Sequence, residues 1–139
     1  MTNKLKYFVG NWKMFGDFSS LKNIYKVNSF IKNFSKGKFK NRIVFCVPST
    51  LIRFFTDKFK SNLVSIGAQN CHYEDSNGPF TGSINAEMLK KAGAKYVILG
   101  HSENRKEGDT GRLINKKITS ALKKNIIVIF CIGEKYNEK

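Results

Sequence analysis

Tyr7-Phe8-Val9-Gly10-Asn11-Trp12-Lys13-Met14 begins as an apolar strand and closes on an amide and an ammonium. Along an extended strand side chains alternate faces, so Asn11 and Lys13 are expected on one side and Trp12 on the other. A strand that spends its last inward positions on Asn and Lys gives up packing for chemistry. About ninety residues later the arrangement returns, where Tyr96-Val97-Ile98-Leu99-Gly100 runs into His101-Ser102-Glu103. Buried strands whose C-terminal ends carry Asn, Lys, His and Glu point to a site at the strand tips of an α/β protein.

Working outward, strands alternate with helical patterns. Short apolar runs lie at Tyr7–Gly10, Ile43–Val47, Leu63–Ala68, Tyr96–Leu99 and Ile126–Ile132. Between them, Leu21, Ile24, Tyr25, Phe30, Ile31 and Phe34 form a stripe at helical spacing, with Ser19-Ser20 as the expected N-cap. Leu51, Ile52, Phe54, Phe55 and Phe59 follow the start signal Pro48-Ser49-Thr50. A shorter piece, Ala86, Leu89, Lys90 and Ala92, stops at Gly93, and Leu113, Ile114, Ile118, Ala121 and Leu122 follow Asp109-Thr110. These stripes are expected to be core faces. Wholly apolar strands joined by helices imply a parallel sheet covered on its faces. The exception is Asn70–Gly82, a long loop of the kind that usually carries function or forms an interface.

Composition narrows the function classes. The 139 residues suit one domain, and 41% apolar content with twelve Phe suits a globular core. No apolar run approaches the ~18 residues of a membrane span, and the polar start Met1–Lys6 is no signal peptide. Cys46, Cys71 and Cys131 lack a disulfide-framework spacing and are expected as reduced, mostly buried thiols in a cytoplasm. Cys71-His72 has no further ligands clustered near it, so no metal is expected. The net charge of +15 would suit nucleic acid, but the lysines are scattered, with no Arg-rich arm and no aromatic RNA-binding signature. The surplus reads instead as solvated surface, with some attraction for anionic substrates. Gly-x-Gly-x-x-Gly, the P-loop pattern and Gly-x-Ser-x-Gly are all missing, which disfavours dinucleotide, NTP and serine-hydrolase chemistry.

Five pieces, Gly10-Asn11-Trp12-Lys13-Met14, Gly67-Ala68-Gln69-Asn70, Gly78-Pro79-Phe80-Thr81-Gly82, Leu99-Gly100-His101-Ser102-Glu103 and Cys131-Ile132-Gly133-Glu134, stand in the order and spacing that mark triosephosphate isomerases. The chain resembles the N-terminal portion of that family. The resemblance implies an α/β fold, a partial (β/α)8 TIM barrel with about five β/α units of eight, residues 1–139 forming part of a single domain. The family's Tyr-Glu-Pro-Val-Trp segment, with its catalytic glutamate and lid, has no counterpart here, nor have its later phosphate-binding turns. A fragment of a longer protein is therefore expected.

The resemblance also implies roles. His101 would polarise the substrate carbonyl as a neutral imidazole at the start of a short helix, Ser102-Glu103-Asn104-Arg105. Lys13 would supply positive charge to the phosphate and the developing enediolate, Asn11 would steady Lys13 and bind near substrate, and Glu103 would be catalytic too, interacting with Lys13 and assisting proton movement. His72 matches nothing catalytic. The substrate would be a triose phosphate, with no metal, organic cofactor, membrane or nucleic acid involved. A homodimer is implied for the full-length protein, Thr81 reaching the partner's site and Met14 lying where the partner's loop docks. Ser83 and Asn104 depart from the Glu and Arg usual at those positions. A non-catalytic half-barrel, assembling with itself or with a complementary fragment, is the alternative.

Overall fold

The structure is a computed structural model and describes residues 5–35 and 41–133. Its elements run β1 (Tyr7–Asn11), α1 (Leu21–Ser35), β2 (Arg42–Cys46), α2 (Ser49–Lys58), β3 (Val64–Ala68), α3 (Ala86–Lys91), β4 (Tyr96–Leu99), α4 (Ser102–Lys106), α5 (Gly111–Lys123) and β5 (Ile127–Phe130). The five strands pair in chain order, all parallel. Parallel neighbours need a crossover, and helices supply it here.

The sheet curls. Tyr7 on β1 and Tyr96 on β4 meet edge-on at 6.2 Å although two strands lie between them. The register places Tyr7, Val9 and Asn11 beside Arg42, Val44 and Cys46, all on the inner face. Inside, Val44, Cys46, Tyr96 and Ile98 pack with Ile129 and Cys131. Gly67 makes this curl possible: a Cβ there would lie 2.8 Å from Cys46 Sγ and 3.1 Å from Tyr96 Cβ. The opposite face carries the larger core, where Ile24, Ile52, Phe55, Val97 and Leu99 are fully buried. Trp12 packs there against Phe45 and Phe55, as the alternation predicts. Sequestering Phe55 alone is worth about 1.5–3 kcal/mol. The result is a curled half-barrel, as expected, with helices on its outer face.

Several local expectations change. The first helix is capped by Asp17 through a short 3₁₀ turn at Phe18–Ser20, not by Ser19-Ser20, because the Asp17 carboxylate accepts from the Ser20 backbone N–H. Tyr25, Phe30, Phe34 and Leu122 are not core: they are 45, 62, 80 and 56% exposed. Asn28 takes the buried turn of α1 instead, accepting from the Ser61 hydroxyl at 2.7 Å, while Phe30 and Phe34 stack on each other outside. The outer strands are not wholly buried either. Phe8 and Phe130 are half exposed, since β1 and β5 each lack a neighbour on one side among the described residues. Cys131 lies just beyond β5 rather than in it. Glu134, last residue of the fifth matched piece, lies outside the described residues.

Candidate active site

The C-terminal strand ends carry the site. Strand β1 stops at Asn11, and Lys13 has φ +53°, a left-handed turn that a lysine adopts only under constraint. Lys13 is therefore not simply the next inward residue of the strand. Its direction is set by hydrogen bonds. Asn11 Oδ1 accepts from the Lys13 backbone N–H at 2.9 Å, and Gln69 Nε2 donates to the Lys13 carbonyl at 2.8 Å and to the Cys46 carbonyl at 3.1 Å. Gln69 thus ties the turn after β1 to the end of β2. It belonged to a matched piece but had no role assigned. Period-two alternation from Gly67, which faces inward, was the signal that could have found it.

His101 follows Gly100, whose φ of +75° turns the chain sharply at the tip of β4. A Cβ at Gly100 would meet Arg105 Nη2, Phe130 and the Cys131 carbonyl within 3.1 Å. Arg105 fastens that corner, donating to the Gly100 carbonyl at 2.6 Å and the Cys131 carbonyl at 3.1 Å, and so joins the tips of β4 and β5. His101 is the N-cap of α4: its Nδ1 accepts from the Glu103 backbone N–H at 3.3 Å. Glu103 Oε2 is also 3.4 Å from Nδ1, but a nitrogen accepting an N–H has no proton for that carboxylate. The capping bond is the one to keep, because it explains the helix start. It assigns the ring proton to Nε2.

Glu103 Oε1 instead holds the Lys13 ammonium at 2.7 Å. Both side chains are about half exposed, at 52 and 54%, so the ammonium is not buried as a strand-end lysine would be. Such a pair contributes little to stability and much to placement. The hydrogen bond from Lys13, ahead of the nearby positive charges, holds the Glu103 carboxyl below its usual 4.5. The interaction is thus complete above the ordinary glutamate range and fades as pH falls through the lowered value. NMR titration should place the Glu103 midpoint below 4.5, and Lys13→Met should return it to the ordinary range; identical midpoints would refute the pairing.

Asn11, Lys13, His101 and Glu103 converge on one cavity of about 480 Å³, with Gln69 and Asn104 on its walls. Thr81 does not line it; the residue sits on the exposed tip of the loop between β3 and α3. Met14 borders the cavity with 94% of its surface exposed. Beside it, Asn70 Oδ1 accepts from Lys117 Nζ, which also grips both Asp109 oxygens at 2.7 and 2.8 Å. Sequence reasoning missed that buried pair, because nothing local marks Lys117 among the exposed lysines of α5. His72, unassigned before, stacks between Tyr73 at 4.3 Å and Phe80 at 4.6 Å and so stiffens the loop. Burial pushes the Cys46 thiol up to about 12 and the Cys71 thiol to about 11, so neither is a ready nucleophile. Among the described residues no cluster of His, Cys, Asp and Glu could hold a metal ion, and no helix is long and apolar enough to cross a membrane.

The sequence profile of the triosephosphate isomerase family matches residues 6–139. A triosephosphate isomerase of Dictyoglomus thermophilum is 41% identical over 138 residues, covering 96% of this chain and 53% of that protein. One of Bartonella bacilliformis is 37% identical, covering all of this chain and 54% of its own length. The crystal structure of the Bartonella henselae triosephosphate isomerase superposes with a TM-score of 0.85 at 34% identity, over 96% of this chain and 54% of the other. The chain spans about half the length of the curated relatives it matches.

Proposed function

We propose, from the fact that this chain belongs to the triosephosphate isomerase family, that its rim binds a triose phosphate and stabilises the enediolate of aldose–ketose isomerisation. Dihydroxyacetone phosphate and glyceraldehyde 3-phosphate are the interconverted pair, a reaction of glycolysis and gluconeogenesis. The convergence of Asn11, Lys13, His101 and Glu103 on one cavity carries the reading. The Nε2 proton of neutral His101 would donate to the substrate carbonyl oxygen, where negative charge develops. Lys13 would meet the phosphate, and its turn is held by Asn11 and Gln69 so that no reorganisation is needed on binding. Glu103 positions Lys13 through their 2.7 Å ion pair. No relatives of the kind above stand behind a non-catalytic half-barrel. Free Cys46 and Cys71, buried and unpaired, support a reducing compartment such as the cytoplasm.

Titrating dihydroxyacetone phosphate while following the His101 ring signals tests the rim. Lys13→Met should weaken binding about tenfold to a hundredfold, the loss of one charge-assisted hydrogen bond. Equal affinity would remove Lys13 from the site.

The full-length protein is proposed to be a homodimer. Met14 and Phe15, 94 and 75% exposed, border the rim cavity where the partner's long loop, with Phe80 and Thr81 exposed at its tip, would dock. A knob and a hole on one surface are what a two-fold interface needs. Met14→Glu should shift sedimentation toward monomer by at least tenfold in dissociation constant; an unchanged constant would place the contact elsewhere.

A further inference from the structure

At the opposite end of β3 from the rim, a cavity of about 430 Å³ opens between the last turns of α2 and α3. Among the described residues four cations line it, Arg53, Lys60, Lys91 and Lys95, and Asp57 is the one carboxylate on its walls. Part of this has a local explanation. Helix C-termini attract positive charge, and Lys60 donates to the Thr56 carbonyl while Arg53 donates to the Lys91 carbonyl at 3.3 Å. Arg53 is also paired with Asp57 at 2.7 Å, and Lys91 with Glu87 at 2.7 Å. Four cations against Asp57 leave an excess of positive charge on the described walls, and Glu87, outside them, is shared between Lys91 and Lys124. The Lys95 ammonium has no hydrogen-bond or ion-pair partner among the described residues. Lys60 has spent one of its three N–H donors, and the Asn62 amide and Ser65 hydroxyl add further donors to the wall. The described walls of the cavity are rich in cationic donors.

We propose that this hollow is a second anion site, distinct from the rim, suited to a multivalent phosphoryl group. Exposed ammonium groups hold a singly charged carboxylate weakly. A ligand with several charged oxygens contacts Lys60 and Lys95 together and gains from each. The site is independent of the rim chemistry, since the length of β3 separates Ser65 from Gln69.

Inorganic pyrophosphate titrated calorimetrically into the chain is expected to show a saturable component at this hollow, which persists in Lys13→Met. Lys60→Met/Lys95→Met should weaken it at least tenfold, and both positions are exposed, so the fold is not at risk. Acetylation mapped by mass spectrometry gives an independent reading: pyrophosphate should protect Lys60 and Lys95 but leave Lys26 reactive. No saturable binding, no protection, or binding lost in Lys13→Met and unchanged in the double variant would each overturn the proposal.

Discussion

Assayed alone with dihydroxyacetone phosphate, these 139 residues are expected to turn over at least ~1000-fold more slowly than a full-length relative such as the Bartonella henselae enzyme. The reason lies in what the rim contains. Among the described residues its cavity is lined by one carboxylate, Glu103, and that group is engaged with Lys13 at 2.7 Å. Proton abstraction beside a carbonyl needs a free base within hydrogen-bond reach, and a positioned base is worth about 10²–10⁴ in rate. By the family resemblance that base stands on a Tyr-Glu-Pro-Val-Trp segment, which has no counterpart among these residues. On the proposed reading, His101 without that base would polarise the substrate and leave its proton in place. A coupled assay giving a rate within tenfold of the relative's would refute this. Adding a polypeptide that carries the remaining three strand–helix units should raise the rate, because β1 and β5 present half-exposed Phe8 and Phe130 along edges that accept parallel neighbours. If such a polypeptide bound and the rate stayed flat, the rim assembled here would not be the family's catalytic rim.

Lys117→Met is expected to destabilise the chain by about 3–5 kcal/mol. Both members of the Lys117–Asp109 pair are 8% exposed. Removing the ammonium leaves the Asp109 carboxylate in a low-dielectric wall with its two short hydrogen bonds gone, and Asn70 Oδ1 loses a donor as well. An exposed lysine of the same helix, Lys116, should tolerate the same change within about 0.5 kcal/mol. The double variant Asp109→Asn/Lys117→Met should recover much of the loss, since no charge then stays buried without a partner. Urea unfolding monitored by circular dichroism reads all three. A Lys117→Met midpoint matching that of Lys116→Met would show that Asp109 is not left as an uncompensated buried charge and would overturn this prediction.

Local order was readable from residues alone wherever it depended on neighbours. Short apolar runs located every strand within two residues at either end, and stripes at helical spacing located α1, α2, α3 and α5, whereas α4 followed only from the family resemblance. Asn85 and Thr110 cap their helices through their side chains, as short polar residues in those positions do. The polar strand tips Asn11, Lys13, His101 and Glu103 are legible in the sequence, and all four line one cavity. Errors fell where a helix had more apolar residues than one face could bury: α1 has aromatic residues on two faces, and only packing chose Ile24 and Ile31 over Phe30 and Phe34.

What the chain's order of residues settled by itself is the parallel strand–helix alternation and which residues stand at the strand ends, because both follow from backbone periodicity and local capping. Tertiary structure decided how those residues act. The left-handed turn of Lys13, its carbonyl held by Gln69 fifty-six residues away, its ammonium held by Glu103 ninety residues away, and the buried Lys117 joined to Asn70 across forty-seven residues are contacts between distant segments. No periodicity encodes such contacts; they exist only once a curled sheet brings the segments to one rim.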